Sequence, residues 1–225
     1  MKKIFFSLVV LTFLTTVAYS QNVRLNLYGS YVFDDKVDNS YSYDQIGYFS
    51  GTIKGGFLWG GGLEFRLHDY YGLELLYQRL DTKVPMDYFD NGSKRTDIDL
   101  GINYIMVGGT RSLHPSGGKA EPYGGFLLGM AILDAESDAL GSANATKFAW
   151  GLRLGTNIWA SDRVGVKLQM QLLSVPQGAG GGLYFGTGGA GVGVTTYSTM
   201  LQFALGGGLT FKLGGHQPQK AAQTQ

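Results

Sequence analysis

Apolar and polar residues alternate along most of this chain with a period of two, the spacing that sends successive side chains to opposite faces of a strand. In VRLNLYGSYVF (23–33), Val23, Leu25, Leu27, Tyr31 and Phe33 share one face, and Arg24, Asn26 and Ser30 the other. Residues 51–67 set Ile53, Phe57, Trp59, Leu63, Phe65 and Leu67 against Thr52, Lys54, Glu64 and Arg66. Residues 70–80 set Tyr71, Leu73, Leu75 and Tyr77 against Glu74 and Gln78. The same reading gives strands over 96–112, 146–160, 164–174 and 196–213. In 96–112 it puts Ile98, Leu100, Ile102, Tyr104 and Met106 on the apolar face and Asp97, Asp99, Asn103 and Arg111 on the polar one. Lys147, Arg153 and Asn157 fall on the polar face of 146–160, and Lys167, Gln169 and Gln171 on that of 164–174. Residues 122–133 are apolar on both parities, so their faces stay unassigned.

These eight strands are joined by long stretches (34–50, 81–95, 134–145, 175–195) alternating with short turns (68–70, 113–121, 161–163). Long connections at one end and tight turns at the other are what a membrane-spanning barrel produces, with an outward apolar band and a polar interior. Aromatic residues gather at two levels, Tyr31, Phe33, Tyr77 and Tyr197 at the outer one and Tyr71, Tyr123, Phe65 and Phe211 at the inner one. That is the spacing of interfacial girdles. The predicted fold is all-β: an eight-stranded antiparallel transmembrane up-and-down β-barrel.

Composition supports this and closes other classes. The chain has 225 residues with 36 glycines, 14 tyrosines, 13 phenylalanines, 18 basic and 17 acidic side chains and no cysteine. The balanced charge carries no basic stripe for nucleic acid, and without cysteine there are no disulfides, thiolate metal sites or lipidated cysteine. Residues 1–20, MKKIFFSLVVLTFLTTVAYS, read as a cleaved signal peptide: Lys2 and Lys3, an apolar core from Ile4 to Val17, and the small-x-small site Ala18-Tyr19-Ser20. The barrel is then expected over 21–213, with 214–225 as a short periplasmic tail. After the signal no apolar run approaches the roughly 20 residues of a spanning helix.

The signal peptide, the alternating strands, the hairpin LEFRLHDYYGLELLYQ (63–78) and the closing GGGLTFKL resemble the small outer-membrane β-barrel superfamily, with its OmpX, OmpW and OmpA-barrel types. The resemblance implies a bacterial outer-membrane location, outer-membrane lipid and lipopolysaccharide as surroundings, and barrel-assembly machinery as a partner. It implies an assembly signal in the last strand at Gly208, Phe211 and Leu213. The chain departs from the usual pattern at Gly206, where a larger polar residue is common, and in continuing past Leu213.

Parity sends Arg24, Lys54, Glu64, Arg66, Glu74 and Lys212 into the lumen. A turn at 68–70 sets Glu64 opposite Glu74, two carboxylates that repel unless cations intervene. A charge network filling a narrow interior is the expected arrangement, since buried charges must be paired; a gate of switchable salt bridges is the alternative. Leu58, Phe126, Leu128 and Met130, with Ile105, Val107, Ile132 and Leu173, also fall on the lumen parity and form a candidate apolar lining. Trp159 falls inward near a turn.

No catalytic constellation emerges. His68 and His114 lie in turns and His216 in the tail, none beside a serine or carboxylate on a strand face. The glycine-rich run 177–194 lacks the strand–loop–helix context and lysine of a phosphate loop, and Asp34, Asp35 and Asp38 lack the spacing of a calcium loop. No cofactor is expected. Two functions stay open: a structural, non-enzymatic barrel with limited passage of small, hydrophobic solutes, and a surface adhesion or ligand-binding module acting through external loops 34–50 and 175–195.

Overall fold

The computed structural model describes residues 23–39, 49–89, 93–113, 119–137, 141–176, 182–186, 189–193 and 200–213. The expected signal peptide (1–20), the tail (214–225), Tyr197, His114 and His216 lie outside these residues. Twelve strands are present among the described residues: β1 (Val23–Val32), β2 (Asp35–Asn39), β3 (Phe49–Ile53), β4 (Gly56–Arg66), β5 (Tyr71–Phe89), β6 (Ser93–Ser112), β7 (Ala120–Ser137), β8 (Gly141–Trp159), β9 (Val164–Val175), β10 (Gly182–Gly186), β11 (Gly189–Gly193) and β12 (Met200–Lys212). Eight of them, β1, β4, β5, β6, β7, β8, β9 and β12, pair antiparallel with their neighbours in chain order, and β1 pairs with β12 to close the barrel. Closure leaves no wall edge inside the membrane, where an unpaired backbone would go unsatisfied.

The outer surface carries the apolar alternation. Leu27, Leu63, Leu73, Leu75, Phe126, Leu152, Met170 and Leu205 are exposed there, as lipid contact requires. At its outer margin Phe33 stacks on Phe203 (5.8 Å between ring centroids), Tyr31 meets Phe33 edge-on (5.5 Å) and Trp59 meets Tyr77 (6.5 Å). The tight connections after β4 and β8 lie at one end, the end that faces the periplasm in barrels of this kind, and the ends are named accordingly. Tyr123 is not part of the inner girdle: it is buried inside the barrel and its hydroxyl donates to Gln169 Oε1 (3.0 Å).

Four strands run longer than their sequence pattern predicts. Stretches 81–95 and 134–145, expected as external loops, instead extend β5 to Phe89, β6 back to Ser93, β7 to Ser137 and β8 back to Gly141. Gly141, at φ 82°, supplies the left-handed residue where β8 begins. The extension reads as loop because its outward positions, Asp81, Lys83, Asp97, Asp99, Asp134 and Glu136, are charged and exposed. They lie above the lipid belt and face water. Its inward positions, Leu80, Ile98, Leu100, Leu133 and Ala135, are buried. Polarity therefore inverts along these strands: apolar outside and polar inside at membrane level, polar outside and apolar inside above it. The expected loops 34–50 and 175–195 each contain a hairpin, β2–β3 and β10–β11. The first is joined to the wall through β3 and β5 and buries Ile53 in the interior, opposite to its predicted face.

Candidate functional site

The interior is set by register. Side chains directly opposite on neighbouring strands share a face, so one row of the wall runs Glu64, Glu74, Gly108, Leu127, Gly151, Leu173, Gln202, all inward. This row fixes the faces that sequence left open or reversed. On β6 it turns Ile98, Leu100, Ile102, Tyr104 and Met106 inward, and on β7 it turns Leu127, Ala131 and Leu133 inward. Phe126, Leu128 and Met130, expected to line the lumen, are exposed on the lipid side, as are Ile105 and Val107. Leu58 and Leu173 are inward and fully buried. The glycines of the row make room for bulk: a Cβ on Gly108 would lie 2.5 Å from Leu127 Cδ2.

The inward residues form three layers. The periplasmic one is ionic. Arg24 grips Glu121 with two bonds, Nη1–Oε1 at 2.9 Å and Nη2–Oε2 at 3.2 Å. Arg66 Nη1 lies 3.4 Å from both Glu64 Oε1 and Glu121 Oε1 and donates to Ser112 Oγ at 2.8 Å. Trp159 Nε1 donates to Glu121 Oε2 at 2.9 Å. Deeper in, Arg153 pairs with Glu74 and donates to the Tyr28 hydroxyl at 3.0 Å, and that hydroxyl donates to Glu74 Oε1 at 2.5 Å. Asn26 Nδ2 donates to Glu74 Oε1 (2.7 Å) and to Glu64 Oε2 (3.2 Å). Lys167 Nζ stands 3.8 Å from Glu64 Oε2 and 4.7 Å from the Tyr123 ring centre. Such groups can remain charged away from water because each carboxylate has cationic and hydrogen-bonding partners.

Above this storey lies a belt of amides. Gln171 Nε2 donates to Gln78 Oε1 at 2.7 Å, and the Tyr104 hydroxyl donates to Gln202 Oε1 at 2.7 Å. Beyond it comes one apolar cluster that includes Val32, Leu58, Leu80, Ile102, Leu127 and Val175. Arg153, Glu74, Gln78, Gln171, Gln202, Tyr104, Leu58 and Leu127 are all under 2% exposed, so side chains fill the barrel across its middle.

Of the six residues expected in the lumen network, Arg24, Glu64, Arg66 and Glu74 come together there. Lys54 does not: the chain bends between β3 and β4, breaking the alternation, and Lys54 reaches Asp34 at 3.4 Å with its side chain half exposed. Lys212 sits at the periplasmic mouth, its Nζ 4.0 Å from the centre of the Trp159 ring. Glu121 escaped the sequence reading because it falls in what looks like a turn. Arg153 and Lys167 were on the inward face by parity, but nothing local pairs Arg153 with Glu74, 79 residues away. In the closing strand Gly208 faces Tyr28 directly, Phe211 is half-buried on the outside and the Leu213 N–H donates to Val23 O at 2.8 Å.

No protein-family model matches the chain, and no curated protein sequence matches it. Solved structures do. Neisserial surface protein A (NspA) is similar at a TM-score of 0.54 with 13% identity, over 85% of this chain and 97% of that one. The outer membrane protein OprG from Pseudomonas aeruginosa is similar at 0.52 with 12% identity, over 87% and 97%. The outer membrane protease OmpT from Escherichia coli gives 0.49 with 10% identity, over 87% and 98%. At such identities the likeness is one of fold. A closed wall of eight antiparallel strands with an outward apolar belt, an architecture shared with NspA and OprG, gives the chain the fold of the small outer-membrane β-barrels that its strand pattern resembles.

Proposed function

We propose that the protein is a sealed, non-enzymatic barrel that anchors an extracellular platform for surface binding, with no continuous aqueous path through its wall. The observation that carries this reading is the filled cross-section: a paired ionic layer, an amide belt and an apolar cluster succeed one another along the axis, with fully buried side chains in each. An eight-stranded wall encloses little more than its own side chains. Limited passage of small or hydrophobic solutes, the other function the sequence leaves open, requires those layers to part. The apolar lining anticipated for such a path is largely on the lipid side, which favours the sealed reading. The platform consists of the extended β5–β8 and the β2–β3 and β10–β11 hairpins, whose strands overlap the stretches 34–50 and 175–195 expected to meet an external ligand. Outer-membrane lipid and lipopolysaccharide surround the belt, and Gly208, Phe211 and Leu213 present the assembly signal to the insertion machinery. His68, exposed in a turn against Tyr70, has no nucleophile or carboxylate arranged on it among the described contacts. Proteoliposome swelling tests the reading: the wild-type chain is expected to pass neither ions nor small sugars above the lipid background. Sustained solute flux through wild-type protein would overturn it.

A further inference from the structure

Arg24 on β1 and Lys212 on β12 are directly opposite one another, so two cations share the inner face at the periplasmic mouth. Like charges placed so are destabilising, and the two also share one aromatic ring. The Arg24 guanidinium carbon lies 4.9 Å from the centre of Trp159, and Lys212 Nζ lies 4.0 Å from it. Arg24 is buried and committed to Glu121 by two hydrogen bonds. Lys212 has no carboxylate oxygen within 4.0 Å among the described residues; Glu121 and Asp162 act on it only from farther away. Among the described inward residues at this end, Arg24, Arg66, Arg153, Lys167 and Lys212 stand against Glu64, Glu74 and Glu121, an excess of cations, with Asp162 acting from the adjoining turn. The next inward residue along β12, Thr210, is fully buried and its hydroxyl has no hydrogen-bond partner among the described residues. Within the periplasmic mouth there is thus an open ammonium, a fixed guanidinium beside it and a flat aromatic floor, with a buried hydroxyl behind them.

We propose that this mouth is a binding site for a phosphate group, entered from the periplasmic side and held chiefly by Lys212. Arg24 supplies fixed positive charge, held in place by its two hydrogen bonds to Glu121, and Trp159 holds the lysine in place by its ring face. A phosphate brings several strong acceptors to a position where Lys212 lacks a close counter-charge. Free phosphate and the headgroup of an anionic phospholipid of the inner leaflet offer the same chemistry. The site does not depend on whether the barrel passes solutes, because it opens at the periplasmic mouth, at the foot of the ionic layer.

Trp159 is itself the reporter. The chain has three tryptophans, and Trp59 and Trp150 face outward, so W59F/W150F leaves the emission of Trp159 alone. In full-length protein folded in a maltoside detergent, iodide is expected to quench Trp159 several-fold more strongly than caesium. Inorganic phosphate or short-chain phosphatidylglycerol should protect it. Lys212→Gln should abolish both the iodide preference and the protection while leaving the heat-modified gel shift of the folded barrel unchanged, and Lys212→Arg should restore them. Protection by lipid alone assigns the site to a headgroup, and protection by phosphate alone assigns it to the free anion; each supports a phosphate site. Equal quenching by iodide and caesium, or an iodide preference and protection that survive Lys212→Gln, would overturn the proposal.

Discussion

Glu64 and Glu74 stand directly opposite one another across the β4–β5 ladder, yet each is neutralised from a different direction. Glu64 is served by Arg24, Arg66 and Lys167, and Glu74 by Arg153 and Tyr28, while the single amide of Asn26 donates to both. Two facing carboxylates become tolerable because the barrel brings cations from β1, β8 and β9 across the lumen to them.

The Arg153–Glu74 pair is the most deeply buried ion pair described, with both side chains fully buried. Arg153→Ala strands a carboxylate in the interior and is expected to cost about 3–5 kcal/mol, the usual penalty for breaking a buried pair. Lys83→Ala, which removes an exposed partner of Asp99, should cost less than about 1 kcal/mol. Urea titration of the heat-modifiable folded band separates the two, and equal midpoints would contradict the arrangement.

Gly108 and Gly109 are neighbours in sequence with opposite fates. A Cβ at 108 would meet Leu127 Cδ2 at 2.5 Å, whereas at 109 it would meet nothing within 4 Å. Gly108→Ala should therefore destabilise the barrel by about 1–3 kcal/mol through overpacking. Gly109→Ala, on the lipid face, should stay within about 0.5 kcal/mol of wild type. The comparison tests the inward face of β6 directly, and the reverse ranking would show that the face is wrongly assigned.

Tyr28→Phe keeps the ring beside Arg153 and Lys167 but removes the hydroxyl that joins Arg153 to Glu74. Hydrogen bonds to charged groups are worth about 1.5–3 kcal/mol, so a loss of that order is expected by the same titration. Combined with Arg153→Ala the two losses should fall short of additive, because both remove support from one carboxylate.

Asp34 and Asp35 are adjacent in sequence but held differently at the base of the β2–β3 hairpin. The Gly55 N–H, bound at 2.6 Å, holds the Asp34 carboxyl below its ordinary range, while partial burial raises that of Asp35 despite the Leu201 N–H at 2.8 Å. For Asp35 the sign follows from the raised folded-state value. The ionised form is disfavoured by folding, so its penalty is absent in acid and appears as pH rises through the carboxylate range. Asp35→Asn should therefore tighten the hairpin at neutral pH and change little in acid. Hydrogen exchange of the Leu201 amide at the two pH values reads this out, and faster exchange in the variant at neutral pH would refute it.

The local alternation of apolar and polar residues determined the eight spanning strands, their order and the faces of β1, β4, β5, β8, β9 and β12 at membrane level. A period of two is a property of each strand by itself, and lipid on one side imposes it residue by residue. Glu64 and Glu74 were legible as facing inward for that reason. Where both parities are apolar, as in β7, or where the apolar set turns inward above the membrane, as in β6, alternation carries no sign. There the faces of Leu127 and Tyr104 are decided by pairing with Gly108 and Gln78 on neighbouring strands. The extensions of β5–β8 look like loops because water, not lipid, lies outside them. The partners of the buried charges are likewise a property of closure: Arg153 meets Glu74 and Arg24 meets Glu121 because the wall curves back on itself, bringing together residues far apart in the chain.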